Sequence, residues 1–371
     1  MSMQMSETFY IDTEDELKRF CDMLGGAHCI GLDTEFLREK TYYAQPCLIQ
    51  VSGNGLIACI DPLAINDLAP LRAVLFDKGI VKLMHACRQD LEILLQLFDA
   101  IPGPVFDTQL AAAFCGHGDQ VSYAALVEEM AGITLSKAHT RARWCQRPLS
   151  DEEIRYAEDD VRYLPDMYEV LADGLNKLER ANWFEAGMDS LTDVSGFEIV
   201  NGDAWKRIGA IRSLSGRSFH VAKQIATWRE ETARRRDMPR RWIMADQVVV
   251  ALAQKQPADM QELAEIEGMT DGLLKHRGKQ LLSVISDTDA GDTALEPPKN
   301  IRPDAREKAL SKQLAKILDD EAGRLNIPAS LLATRRDLMA MVQGERSLNV
   351  LQGWRREAIG EELLEQLEKS A

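Results

Sequence analysis

The 371-residue chain is expected to fold as an α/β domain, a mixed sheet flanked by helices, followed by two small all-helical bundles. Short apolar runs alternate with turns and helical stretches from Cys29 to about Cys115, after Gly202 almost no strand signal remains, and Pro297-Pro298 marks a late linker. A chain of this length also exceeds what one hydrophobic core usually supports.

In order along the chain, Cys29–Leu32, Cys47–Val51, Leu56–Ile60 and Val81–His85 predict strands, and Leu91–Phe98 and Thr108–Phe114 predict helices. Three strands in quick succession, then strand–helix alternation, suit a mixed sheet. Ser150 with Glu153 three positions later forms a capping box, after which Ile154 to Leu178 reads as one long helix. The resulting division is 1–188 for the α/β domain, 189–201 for a linker, 202–286 for the first bundle, 287–303 for a second linker and 304–371 for the second bundle.

With 45% hydrophobic and 28% charged residues the composition is that of a globular protein, which excludes fibrous and wholly disordered classes. No apolar stretch reaches the length of a bilayer span, and Met1 to Tyr10 carries no signal-peptide pattern, so an untargeted, soluble, cytoplasmic chain with no membrane partner is expected. Seven cysteines, all in the first 150 residues and without a C-x-x-C pair, suggest reduced, mostly buried thiols rather than a zinc site. A net charge of −15 opposes whole-protein attraction to nucleic acid, so any phosphate-binding surface must be local.

Asp33 and Glu35 end the apolar run Ile30-Gly31-Leu32, and their spacing in a strand places both side chains on one face. Two carboxylates forced together must neutralise or share a cation, although two solvated loop carboxylates would show the same pattern. Asp90 follows the Val81–Met84 run and precedes a helix, where it suits a helix cap as well as a site. Asp107 reads as a cap. Tyr156 and Asp160, four apart, share one helix face, while a solvated acidic face is the ordinary meaning of Glu158-Asp159-Asp160. Carboxylates from two strand ends and one helix, without a His or Cys cluster, suit Mg²⁺ or Mn²⁺ and phosphodiester cleavage.

Leu32-Asp33-Thr34-Glu35-Phe36, the stretch from His85 to Leu91, and Tyr156-Ala157-Glu158-Asp159-Asp160-Val161 closely resemble the three motifs of the DEDD exonuclease superfamily, in the subgroup with tyrosine in the third motif. Thr41-Tyr42-Tyr43, Leu48-Ile49-Gln50, Phe106-Asp107-Thr108-Gln109 and Arg147-Pro148-Leu149 narrow the resemblance to the ribonuclease D family. Pro239-Arg240-Arg241-Trp242 with Asp246 is similar to the HRDC nucleic-acid-binding module, and Leu331 to Arg336 and Gly353 to Glu357 resemble a second, more divergent one. The family often has an acidic residue where Arg143 precedes Trp144, a departure that removes no metal ligand.

The resemblance implies a ribonuclease H-like exonuclease fold and a 3′-5′ exoribonuclease that releases nucleoside 5′-monophosphates. It implies Asp33, Glu35, Asp90 and Asp160 as ligands of two divalent ions, about 4 Å apart across the scissile phosphate. Tyr156, an ordinary phenol titrating near ~10, would orient the attacking water rather than act as a base. Phe36, His85 and Gln89 lie beside the motifs and are candidates for contact with the terminal nucleotides, with packing an equal alternative. RNA with a free 3′ end, such as precursor transfer RNA, is the implied partner of a monomeric enzyme.

From Lys206 to Arg241 the charge reverses locally, most densely at Arg234, Arg235, Arg236, Arg240 and Arg241, a candidate RNA-binding patch. Trp228 and Trp242 are interleaved with it and are expected in the bundle core. A second basic segment runs from Lys137 to Trp144. Alternative functions are a single-strand DNA exonuclease, which needs the same carboxylates, and a non-catalytic RNA-binding scaffold, which does not need all four with the tyrosine. The helical tail and the lack of a polymerase-like region favour RNA.

Overall fold

The computed structural model describes residues 6–136, 142–197, 201–288 and 303–370. Along the first part come β1 (Glu7–Ile11), α1 (Glu14–Met23), β2 (Cys29–Leu37), β3 (Gln45–Gly53), β4 (Leu56–Ile60), α2 (Ala69–Leu75), β5 (Val81–Met84), α3 (Arg88–Phe98), β6 (Val105–Asp107) and α4 (Thr108–Cys115). Then follow α5 (Tyr123–Ala131), α6 (Asp151–Arg162), α7 (Leu164–Lys177) and α8 (Ala181–Thr192).

Among the described residues the strands make one six-stranded sheet in the order β1-β4-β3-β2-β5-β6. β3 and β4 pair antiparallel, whereas β1–β4, β2–β5 and β5–β6 are parallel, so the sheet is mixed as expected. Asn54 and Gly55, both with positive φ, close the β3–β4 hairpin. Nearly every residue of β3 is buried, as befits an inner strand covered on both faces.

The four expected strands are all present, and β1 and β6 join them at the two edges. The long helix expected over Ile154–Leu178 is two helices. It breaks at Tyr163, because Pro165 in the first turn of α7 has no N–H to donate to Val161. The stretch read as a linker from Asp189 is helical as far as Thr192, since Phe184 and Met188 keep that face of α8 buried. Residues 198–200, 289–302 and 137–141, which carry parts of both expected linkers and of the second basic segment, lie outside the described residues.

The expectation of uniformly reduced cysteines is corrected, because Cys47 on β3 and Cys145 form a disulfide with Cα atoms 4.9 Å apart. Their separation of 98 residues hid the pairing in the sequence. Cys21, Cys59 and Cys87 are free and buried.

Among the described residues the second part is helical, with α9 (Gly216–Arg236), α10 (Arg240–Ile243), α11 (Asp246–Lys255), α12 (Met260–Ala264), α13 (Asp271–Ser286), α14 (Ala305–Leu325), α15 (Ala329–Leu332), α16 (Arg335–Val342), α17 (Gly353–Arg355) and α18 (Glu361–Ser370). The described residues fall into two compact units, one within Met1–Phe36, Pro46–Val194 and Pro303–Ala371, the other within Leu37–Gln45 and Ser195–Arg302. In the first, the C-terminal helices share a core with the sheet domain. Trp354 stacks on Trp183 of α8 with centroids 4.4 Å apart, and Arg180 donates to the carbonyls of Phe114 and Leu325.

In the second unit, α9 and α11 to α13 close over a core that includes Phe219, Ile225, Val249, Leu252 and Leu281. The β2–β3 connection belongs to this unit. Tyr42 donates from its hydroxyl to Glu230 at 2.6 Å, and Asp237 accepts the amides of Tyr42 and Tyr43. Among the described residues no helix is long and apolar enough to cross a membrane.

Candidate active site

The strand β2 presents Asp33 and Glu35, and the last turn of α6 presents Asp160 against them. One carboxylate oxygen from each lies within 4.8 Å of the others. The approach depends on Gly31. A Cβ there would stand 2.9 Å from the carbonyl of Val161 and 3.2 Å from Cβ of Leu164, so a larger residue would push the α6–α7 junction off the strand. Ser52 on the neighbouring β3 donates to that same Val161 carbonyl at 2.7 Å.

The acidic run on α6 is sorted by one arginine. Arg162 donates to Asp159 at 2.9 Å and to Glu158 at 3.0 Å, leaving the Asp160 carboxylate to the cluster. Glu158 and Asp159 are thus accounted for by helix-surface pairing.

Asp90 lies in the first turn of α3 but does not cap it, since the helix begins one residue after Cys87. Its buried carboxylate accepts the hydroxyl of Thr34 at 2.6 Å and the Thr34 amide at 3.2 Å. Asp90 therefore stands beside the three-carboxylate group, bonded to the residue between Asp33 and Glu35. Asp107 is a cap, accepting the amides of Gln109 and Leu110, and it also accepts the amide of Cys87.

Burial, followed by mutual repulsion, pushes the cluster's carboxyls up. Asp33 is held well above the usual carboxylate range by burial and then by Asp90, Asp160 and Glu35. Burial with Asp160 and Asp90 raises Glu35 to about 8, and burial with Asp159 and Asp90 raises Asp160 to about 7. Burial also raises Asp90, but the Thr34 bonds oppose it and it reaches only about 6.

Tyr156 sits one turn before Asp160, with its ring 6.0 Å from that of Trp144. The loop bearing Trp144 is held by Arg147, which donates to the Trp144 carbonyl at 2.6 Å, the Cys47 carbonyl at 2.6 Å and Asp61 at 2.8 Å. Asp61 in turn accepts the Tyr10 hydroxyl at 2.8 Å. Thr34, Ser52 and Asp61 bond to the elements that form this site, and the sequence does not single them out, because each partner lies more than fifty residues away.

Of the flanking candidates, His85 has both ring nitrogens engaged, Nδ1 with the Thr108 hydroxyl at 2.9 Å and Nε2 with the Val121 carbonyl at 3.0 Å. Phe36 is half-buried and Gln89 exposed. In the second unit the basic residues divide. Arg229 is buried and donates to Asp246 at 2.7 Å, Arg240 faces Glu230 at 3.8 Å, and Arg234 donates to the Tyr42 hydroxyl at 3.1 Å. Arg235 and Arg236 are exposed, and Arg241 is exposed while pairing with Asp246. Trp228 packs half-buried against the core as expected, but Trp242 is 59% exposed. That corrects its placement: the four-residue α10 turns Ile243 inward, and Trp242 outward.

A 3′-5′ exonuclease family profile matches residues 8–176, and an HRDC domain profile matches residues 218–285. Ribonuclease D of Acidiphilium cryptum is 38% identical, over 98% of this chain and 94% of its own. The chain belongs to the ribonuclease D family. Ribonuclease D of Escherichia coli is 33% identical over 95% of this chain and 96% of its own. The crystal structure of Escherichia coli RNase D, described as an exoribonuclease involved in structured RNA processing, superposes with a TM-score of 0.86 at 31% identity, covering 98% of this chain and 99% of that one. The catalytic core of RRP6 from Trypanosoma brucei, 24% identical with a TM-score of 0.59 over 78% of this chain and 81% of that one, shares the fold. This ribonuclease D family member is accordingly a 3′-5′ exoribonuclease, a hydrolase with RNA as its partner.

The fold is one that works with divalent metal, and the residues present fit such an ion. The Asp33–Glu35–Asp160 group offers oxygen donors only, and its members raise one another's pKa for want of a compensating charge. A hard divalent cation supplies that charge and prefers those donors.

Proposed function

We propose that the enzyme trims the 3′ end of precursor transfer RNA and other structured RNAs, one nucleotide at a time, releasing nucleoside 5′-monophosphates. The observation that carries this reading is the convergence of Asp33, Glu35 and Asp160 from a strand and a helix. In this reading these three and Asp90 hold two divalent ions, Mg²⁺ or Mn²⁺, and Tyr156 hydrogen-bonds and orients the attacking water. The ions, when bound, supply charge that activates water and stabilises the departing 3′ oxygen.

The chain's own part is arrangement. β2 and α6 fix the carboxylates before substrate arrives, so little reorganisation is needed at the moment of reaction. Tyr156 leans on Trp144, whose loop Arg147 anchors, and so offers its hydroxyl from a braced ring. Arg234, Arg235, Arg236, Arg240 and Arg241 would bind the RNA backbone, with Arg235 and Arg236 the most open. Phe36, His85 and Gln89 would flank the terminal nucleotides. A single chain carries every residue of the site, which suits a monomer, and the substrate suits the cytoplasm.

The test is a timed digestion of 3′-extended transfer RNA with Mg²⁺ or Mn²⁺, alongside a matched DNA strand. Wild type should release 5′-monophosphates from RNA, while Asp33→Ala and Asp160→Ala should bind RNA and leave it intact. Full activity in either variant, or preference for DNA, overturns the reading.

A further inference from the structure

We propose that Tyr123 is a positioning residue for Asp160, acting by inserting its hydroxyl into the backbone ladder at the end of α6, with Ser52 in support. Tyr123 opens α5, outside the three motifs and some forty residues before the helix end it acts on. Its hydroxyl donates to the carbonyl of Asp159 at 3.0 Å and accepts the amide of Tyr163 at 3.2 Å. Those two backbone groups are four residues apart, and in an uninterrupted helix they would bond to each other. The phenol stands between them.

A side chain inserted into the helical ladder is a recognised cause of a helix break. Here the break falls directly after the turn that carries Asp160, and a second bond completes it. Pro165 cannot donate to the carbonyl of Val161, and the Ser52 hydroxyl donates to it instead at 2.7 Å. Two of the carbonyls bracketing Asp160, those of residues 159 and 161, are therefore held by side-chain hydroxyls from different elements, α5 and β3. The rotation and depth of Asp160 relative to Asp33 follow from these two bonds.

The ring of Tyr123 is also fixed. It meets His85 edge-on with centroids 5.6 Å apart, and His85 is itself tied at both nitrogens to Thr108 and Val121. A histidine that flanks the second motif thereby also braces the tyrosine that acts on the third. The Tyr163 amide also reaches the Val161 carbonyl; without the Tyr123 hydroxyl nothing stands between that amide and the Asp159 carbonyl, and a direct bond between them would carry Asp160 away from Asp33 and Glu35.

The inference rests on Asp160 being a ligand of the catalytic metal, and the test separates the two. Mn²⁺ binding to the RNA-free full chain is measured by calorimetry, and RNA hydrolysis is resolved into kcat and KM, for wild type, Tyr123→Phe, Ser52→Ala, Asp160→Asn and Val127→Ala. The last is a core change on α5 that leaves both hydroxyls in place, and thermal unfolding ranks all variants for stability. The expected result for Tyr123→Phe is Mn²⁺ affinity weakened three- to tenfold and kcat reduced about tenfold with KM unchanged, while Val127→Ala keeps wild-type values of both. Should Tyr123→Phe not fold, Ser52→Ala carries the same test. Wild-type Mn²⁺ affinity and kcat in the folded Phe variant, or losses matched by Val127→Ala, overturn the positioning role. Unchanged Mn²⁺ binding in Asp160→Asn overturns the ligand assignment beneath it.

Discussion

The hydroxyl of Thr34 donates to the carboxylate of Asp90 at 2.6 Å, and the Thr34 amide donates to the same oxygen at 3.2 Å. The residue between the two β2 carboxylates is thus the anchor of a third, on α3. Bonds to the charged form keep Asp90 more readily ionised than Glu35 or Asp160. Thr34→Val keeps the shape and deletes the stronger donor. A hydrogen bond to a charged group contributes about 1.5–3 kcal/mol, so kcat is expected to fall roughly tenfold or more. The activity profile should also move to higher pH as the Asp90 pKa rises. An unchanged pH–rate profile in Thr34→Val would show that the bond does not govern Asp90.

Gly31→Ala tests the close approach of α6 to β2. The added methyl meets Ser52 Oγ and, at 2.9 Å, the Val161 carbonyl, and backbone cannot swing aside as a side chain can. Overpacking of this kind costs typically about 1–3 kcal/mol. Chemical denaturation should register that loss, and RNA hydrolysis should fall by more than the lost stability alone explains, because the displaced helix carries Asp160. A stable variant with full activity would mean the junction has slack.

The raised carboxyls set a direction for pH. A carboxyl whose folded pKa exceeds its unfolded value favours the fold while protonated, and its contribution is lost as pH rises from the unfolded pKa, near ~4, to the folded one. For Asp90, Asp160 and Glu35 the upper limits are about 6, about 7 and about 8. Metal-free protein should therefore lose stability between about pH 4 and pH 8 from this cluster, whose ionised form is the one that binds cations. The rise in Tm on adding Mn²⁺ should be small at pH 5 and large at pH 8, and chelator should abolish it. Equal Tm shifts at both pH values would place cation binding elsewhere.

How much of the fold and site is legible in the sequence follows from the range of each interaction. Asp33 and Glu35 share a face because strand geometry has a period of two, and Tyr156 and Asp160 share one because helices repeat near four. Local spacing carries that much. Pro165 is equally visible, yet the apolar periodicity running through it reads as one helix, and the Tyr123 and Ser52 hydroxyls that take up backbone carbonyls at the break come from distant elements. Thr34, Ser52 and the Cys47–Cys145 pair act across 56, 109 and 98 residues, distances at which sequence alone holds no register. Trp242 departs from expectation for a different reason. In a helix as short as α10, periodicity is too brief to say which side faces the core.

The exposed Trp242 yields the last expectation. It follows Arg241 in sequence and lies just beyond the open Arg235 and Arg236 at the end of α9, on a chain whose net charge is −15. A large aromatic face left in water next to exposed guanidinium groups matches the physics of single-strand binding, in which stacking contributes about 1–3 kcal/mol per base. Trp242→Ala should weaken binding of single-stranded RNA roughly five- to a hundredfold at fixed salt, measured in chelator so that no cleavage intervenes. Replacing Arg235 and Arg236 by serine should instead flatten the dependence of affinity on salt, by roughly 0.7 in log–log slope for each phosphate that is no longer neutralised. Because Trp242 carries no charge to set against a phosphate and the arginines read no base, the two effects should separate. If Trp242→Ala changes the salt slope and not the affinity, or neither variant differs from wild type, the RNA path does not cross this face.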